Sequence, residues 1–209
     1  MFREYFVRNL PNLLSMGRLL STIPLVVLIL INTPTAFLIA TALHAAGSAT
    51  DWLDGRIARR YHVVSRLGVF LDLSADKVFV SAALIALVQV GVVPAWIAIV
   101  IVTREFIVQG LRSLAAAQGI VIPAGPAGKQ KTTITMTALG GIFLGLGLRG
   151  RTAFPLGLST SAVGPHGFAD YLLALSDVLL LLAVIWTLYS AYEYLRGGWG
   201  LLREPVKEP

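Results

Sequence analysis

Six apolar runs, each about as long as a helix needs to cross a bilayer, divide this chain of 209 residues. They cover roughly 13–31, 35–58, 67–90, 93–117, 132–149 and 171–195. Apolar residues make up 56% of the chain, charged residues 13% and mean hydropathy is +0.77, a balance foreign to a soluble domain. The expected fold class is therefore all-α: a polytopic membrane protein built as one bundle of six transmembrane helices, a single domain over 1–209. Short breaks separate most runs, among them Asn32-Thr33 before Pro34, and Gly91 before Pro94. The stretch GIVIPAGPAGKQK has no helical period and reads as a loop, as does the longer connection 150–170. The chain has no cysteine, which rules out disulfides, thiolate catalysis and zinc–thiolate sites. Its first residues, MFREYFVRNLPN, carry no small-residue cleavage pattern, so a cleaved signal peptide is not expected.

Basic residues set the expected orientation. With the N-terminus in the cytoplasm, the inner side receives Arg3, Arg8, Arg18, Arg56, Arg59, Arg60, Arg66, Lys77, Arg104, Arg112, Lys129, Lys131, Arg196, Arg203 and Lys207. Of the 17 Lys and Arg, only Arg149 and Arg151 fall outside. Both termini are thus expected in the cytoplasm, and the localisation is an inner, cytoplasmic membrane. Attraction of this collar to anionic headgroups accounts for the net charge of +6 without nucleic acid.

Against that background the acids are conspicuous. Of 11 Asp and Glu, four lie between 51 and 76: Asp51, Asp54, Asp72 and Asp76. At 100° per residue, Asp54 lies about 60° behind Asp51, Ala58 about 20° behind and Gly55 about 40° ahead, so they share a face. Gly47 and Ser48 extend that face with small side chains, and Arg59 stands at its edge. Gly68, Asp72 and Asp76 follow an i, i+4, i+8 spacing on the next helix. Two consecutive antiparallel helices would then offer four carboxylates to one another near their cytoplasmic ends.

Carboxylates gathered in low dielectric repel one another and resist ionisation, and a divalent cation resolves that conflict. An all-oxygen donor set favours Mg²⁺ or Mn²⁺ over zinc. Four carboxylates suggest two ions, an arrangement suited to displacement at phosphorus. A solvated loop in which the acids pair with Arg56, Arg59, Arg60, Arg66 and Lys77 is the competing reading. It leaves the matched spacing on two helices unexplained.

The pattern Asp51-x₂-Asp54-Gly55-x₂-Ala58-Arg59-x₈-Gly68-x₃-Asp72-x₃-Asp76 resembles the complete signature of the CDP-alcohol phosphatidyltransferase family. The resemblance implies transfer of a phosphatidyl group from CDP-diacylglycerol to an alcohol, with release of CMP. It implies that Asp51, Asp54 and Asp72 ligate the metals, and that Asp76 completes the site and acts as general base. Gly55, Ala58 and Gly68 would make room for the cytidine and diphosphate, with Arg59 near the phosphates. The resemblance also suggests a homodimer.

The acceptor has to be argued from other charges. Arg104 and Arg112 are spaced i, i+8 in the fourth run, nearly on one face, and Lys129 and Lys131 lead into the fifth. Four cations near four carboxylates suggest an anionic acceptor such as a phosphorylated polyol; positive-inside topology alone is the plainer account of them. The stretches NLPNLLSMGRLL, VTREFIVQGLRSLAA and GKQKTT further resemble the bacterial phosphatidylglycerophosphate synthases, a branch of that family. This implies sn-glycerol 3-phosphate as acceptor, its phosphate held by some of Arg104, Arg112, Lys129 and Lys131, with Asn12 and Arg18 lining the site.

Inositol phosphate is the alternative acceptor, and a divalent-cation transporter the alternative outside enzymes. A transporter needs acids along a path across the bilayer, whereas here the outer half holds little beyond Asp177. His44 shares the Asp51 face two turns deeper and reads as a hydrogen-bonded packing residue, and Asp177 as a helix–helix hydrogen-bond partner. Gly140, Gly141, Gly145 and Gly147 predict close helix packing.

Overall fold

The computed structural model describes residues 2–61, 66–120, 125–149 and 167–203, with the side chains at 2–12, 14, 51–61, 66–73, 126, 127, 129 and 198–203 outside that description. Six helices and no strand are found among the described residues: α1 (Phe2–Ile31), α2 (Pro34–Tyr61), α3 (Arg66–Gln89), α4 (Ala95–Ala117), α5 (Pro126–Arg149) and α6 (Phe168–Arg203). The all-α expectation and the count of helices hold.

Local chemistry explains where the helices break. Asn32 takes a positive φ of 52°, a conformation Asn tolerates better than most residues. The next residue, Thr33, accepts the Ala36 N–H on its hydroxyl at 3.3 Å, capping α2 ahead of Pro34 at its first position. Gly91 (φ 74°) closes α3: its N–H reaches Val88 O at 3.0 Å and Val92 N–H reaches Leu87 O at 2.9 Å, the paired bonds of a Schellman motif. Gly119 (φ 75°) closes α4 in the same way, with Ile120 N–H on Ala115 O at 2.9 Å.

Three boundaries depart from expectation: α1 begins at Phe2 rather than near residue 13, α6 runs on to Arg203 past residue 195, and α5 starts early. The residues Pro126–Lys131, expected in a loop, form the first turns of α5. Proline at the first helical position has φ preset and lacks an N–H that would have no helical partner, so Pro126 starts the helix that its Gly/Pro-rich surroundings argue against.

The core is formed by Leu25 and Ile29 of α1, Phe37 of α2, Phe79, Leu84 and Leu87 of α3, Ile97 and Ile101 of α4, and Leu139, Ile142, Phe143 and Leu146 of α5. The glycines of α5 lie in its closest contacts, all within one chain. A Cβ on Gly145 would come within 2.6 Å of Leu173, and one on Gly147 within 2.6 Å of Leu38; Gly141 faces Ser176 and Gly140 faces the His44 ring. These contacts align α5 antiparallel to both α2 and α6. Arg149 Nε pairs with Asp170 Oδ1 at 3.0 Å, where α5 ends and α6 begins.

Among the described residues, two helices are long and apolar enough to cross a membrane, over Gln130–Arg149 and Phe168–Gly197, and Ser15–Ile31 forms a shorter apolar helix. In α4 the apolar character is interrupted by Arg104, Glu105 and Arg112.

Candidate active site

Phe79 sets the register between α2 and α3. Its ring lies 5.7 Å from the His44 ring, and its edge would be 3.7 Å from a Cβ on Gly47. Asp51 lies one turn beyond Gly47 along α2, and Asp76 lies one turn before Phe79 along α3. With only residues 62–65 between the helices, α2 and α3 run in opposite directions. All four aspartate positions therefore fall on the same side of the Phe79 wedge. The Asp76 side chain is half-buried. Those of Asp51, Asp54 and Asp72 lie outside the described residues, as do the side-chain positions of Gly55, Ala58, Arg59 and Gly68. No group of three potential metal ligands occurs among the described residues, a set that contains one of the four aspartate side chains.

His44 behaves as a packing residue. It is 4% exposed, its Nε2 donates to Met136 O at 3.0 Å, and Phe143 meets its ring edge-on at 5.5 Å. A carbonyl only accepts, so Nε2 carries the proton; the buried Nδ1 has no hydrogen-bond partner among the described residues. The same contact places α5: Lys131 lies on the aspartate side of Met136.

At that end the fourth, fifth and sixth helices build a buried polar cluster. Arg104 (7% exposed) donates from Nη1 to Glu105 Oε1 at 2.8 Å and from Nη2 to Ser190 Oγ at 2.5 Å. Its guanidinium carbon stands 5.5 Å from the centroid of the Tyr194 ring, a cation–π contact. Lys131, only 4% exposed, donates to the same Glu105 Oε1 at 2.6 Å. The Tyr194 hydroxyl accepts the Gly125 N–H at 2.9 Å, fixing the start of α5. Two cations and one carboxylate leave this cluster with a net positive charge. Several donors remain unspent, including the buried Arg104 Nε, which has no acceptor among the described residues.

Lys77 joins the two halves. Its ammonium donates to Gln109 Oε1 of α4 at 2.5 Å and lies within electrostatic reach of Asp76, Glu105, Arg112 and Lys131. Asp76 and the cation cluster thus adjoin at one end of the bundle.

The expected residues are not equivalent. Arg104 and Lys131 come together, whereas Arg112 is half-buried and two turns away, as an offset of about 80° over eight residues requires. The Lys129 side chain lies outside the described residues, and Arg18 is buried at 3% exposure in α1. Asp177, expected to bond a neighbouring helix, is half-buried, and no hydrogen bond from it is found among the described residues. Ser190 and Tyr194 enter the cluster with no motif to announce them. Their only signal is an i, i+4 pair of polar-tipped side chains in an apolar helix.

Residues 8–189 match the CDP-alcohol phosphatidyltransferase family. The chain is 35% identical to a Bacillus subtilis (strain 168) protein named CDP-diacylglycerol–glycerol-3-phosphate 3-phosphatidyltransferase, with 93% of this chain and 97% of that one aligned. Proteins of the same name from Rickettsia bellii (strain RML369-C) and Pseudomonas fluorescens are 32% and 33% identical. Those alignments cover 90% and 93% of this chain, and 94% and 92% of theirs.

Proposed function

The chain belongs to the CDP-alcohol phosphatidyltransferase family, and on that premise we propose that it transfers the phosphatidyl group of CDP-diacylglycerol to sn-glycerol 3-phosphate, giving phosphatidylglycerophosphate and CMP. The observation that carries this reading is Lys77, within electrostatic reach of Asp76 on one side and of Glu105, Arg112 and Lys131 on the other. An acidic and a basic cluster side by side suit an acceptor that carries both a reactive hydroxyl and a phosphate.

Asp51, Asp54, Asp72 and Asp76 would hold Mg²⁺ or Mn²⁺, a fit supported by a donor set of oxygens alone. Such ions, when bound, supply charge neutralisation at the diphosphate and at the departing CMP. Of the four expected cations, Arg104 and Lys131, which share Glu105, bind the acceptor's phosphate and turn its primary hydroxyl toward Asp76. The Asp76 carboxylate takes the hydroxyl proton as the oxygen bonds to the phosphorus that bears diacylglycerol. The bond from that phosphorus to the CMP oxygen breaks. Gly55, Ala58 and Gly68 leave room for the donor headgroup, and Arg59 lies near its phosphates. Orientation and fixed charge supply most of the acceleration.

The same reading places all six helices across an inner membrane, with both termini and the site on the cytoplasmic face. Exposed apolar side chains support it, including Leu20, Ile23 and Val27 on α1, Ile99 and Phe106 on α4, and Leu175, Ile185 and Leu188 on α6. So does the length of α5 between Lys131 and Arg149, about 27 Å at 1.5 Å per residue, close to the thickness of a hydrocarbon core. The enzyme is taken as a homodimer on its family likeness.

The test offers purified protein, CDP-diacylglycerol and Mg²⁺ with glycerol 3-phosphate, inositol phosphate or serine, following CMP release. Release is expected with glycerol 3-phosphate above the other two, to stop in EDTA, and to return with Mg²⁺ or Mn²⁺. Equal release with all three, or none with glycerol 3-phosphate, overturns the acceptor. Turnover that persists in EDTA overturns the metal.

A further inference from the structure

Glu105 has no part in the chemistry above, yet it lies at the centre of the cation cluster. A single oxygen, Oε1, accepts from Arg104 Nη1 at 2.8 Å and from Lys131 Nζ at 2.6 Å, joining α4 to α5. The two cations depend on it unequally. Arg104 is held independently by Ser190 Oγ and by the Tyr194 ring. Lys131 finds its one hydrogen-bond partner among the described residues in Glu105. A buried ammonium on a flexible four-carbon stem needs such a partner to stay in place. Without it, two like charges a few ångströms apart in low dielectric would separate.

We propose that Glu105 is a positioning residue for the acceptor: it draws Lys131 against the fixed Arg104 so that the pair presents its unspent N–H donors to one phosphate. Lys131 retains two N–H groups after its bond to Glu105, and Arg104 retains its buried Nε–H. The carboxylate holds the resting pair together and lowers its charge to a net +1, leaving the pair able to take a doubly charged phosphate. The proposal rests on the reading of Arg104 and Lys131 as the acceptor's phosphate site.

The experiment compares Glu105→Gln, Glu105→Asp and Lys131→Met in the full-length enzyme, measuring KM for glycerol 3-phosphate and for CDP-diacylglycerol separately. Loss of one charge-assisted hydrogen bond should raise the glycerol 3-phosphate KM of Glu105→Gln about tenfold. The CDP-diacylglycerol KM should stay unchanged. Glu105→Asp keeps the charge but is one methylene short, and should raise the acceptor KM about threefold. A merely structural role would lower active enzyme without this split between substrates. If Lys131→Met raises the acceptor KM while neither Glu105 variant does, or if Glu105→Gln lowers it, the positioning role is overturned and the phosphate site stands. If all three leave it unchanged, the phosphate site itself is overturned. Should Glu105→Gln fail to fold, the Glu105→Asp measurement decides, and a wild-type KM there overturns the proposal.

Discussion

A histidine two turns from Asp51 invites assignment as a metal ligand, and the aromatic packing around the His44 ring favours a structural role instead. Its Nε2 proton is committed to Met136 O, and its ring is held between Phe79 and Phe143 with Gly140 pressed against it. His44→Ala should cost about 2–4 kcal/mol of stability through the cavity left behind. The Mg²⁺ concentration giving half-maximal turnover should not change. Thermal unfolding and a metal titration of the same variant separate packing from ligation, and a large shift in the titration would assign His44 to the metal. Residues of this kind were legible in the sequence because a polar group in an apolar run needs a reason. Lys131 stood out only as a cation leading into the fifth run, whereas that logic singled out Arg104 and the four aspartates. It could not find Ser190, which meets Arg104 from 86 positions away, because a serine in an apolar helix has many other ways to satisfy its hydroxyl, its own helix carbonyls among them.

Among the elements, α5 shows where periodicity and punctuation give different answers. Its glycines announced close packing, and the structure identifies the neighbours as α2 and α6. Its first turns were hidden because Pro and Gly are read as breakers, although Pro126 at a first helical position favours the helix. The caps at Thr33, Gly91 and Gly119 show the opposite case, since side chain or backbone chemistry there leaves few options. A matched pair of variants tests the close packing of α5. A Cβ on Gly147 would stand 3.1 Å from the Leu38 backbone nitrogen and 2.8 Å from its Cγ, whereas one on Gly110 of α4 meets nothing within 4 Å. Gly147→Ala should destabilise by about 1–3 kcal/mol because backbone must move. Gly110→Ala should be neutral, or stabilising by up to about 1 kcal/mol, from helix propensity. Unfolding of both in one detergent checks the pair. Equal effects would mean that the α2–α5 contact tolerates more separation than the geometry allows.

For the whole molecule the decisive quantity is the distribution of charge between the ends of the bundle. At one end lie Lys77, Arg104, Arg112 and Lys131; at the other, the Arg149 charge is already paired with Asp170. The basic residues alone set 15 against two in the expected orientation, a bias that would hold the aspartates on the cytoplasmic side. The absence of cysteine makes this directly measurable, because each introduced thiol is the only one in the chain. Ser65→Cys and Lys207→Cys, placed on the cytoplasmic side by this topology, should react with a membrane-impermeant maleimide only after cells are permeabilised. Thr152→Cys and Ser161→Cys, in the connection between α5 and α6, should react in intact cells. Labelling of Ser65→Cys in intact cells, with Thr152→Cys protected, would invert the topology. It would also put the carboxylates out of reach of a cytoplasmic phosphorylated acceptor, so the same measurement bears on the substrate as well as the orientation.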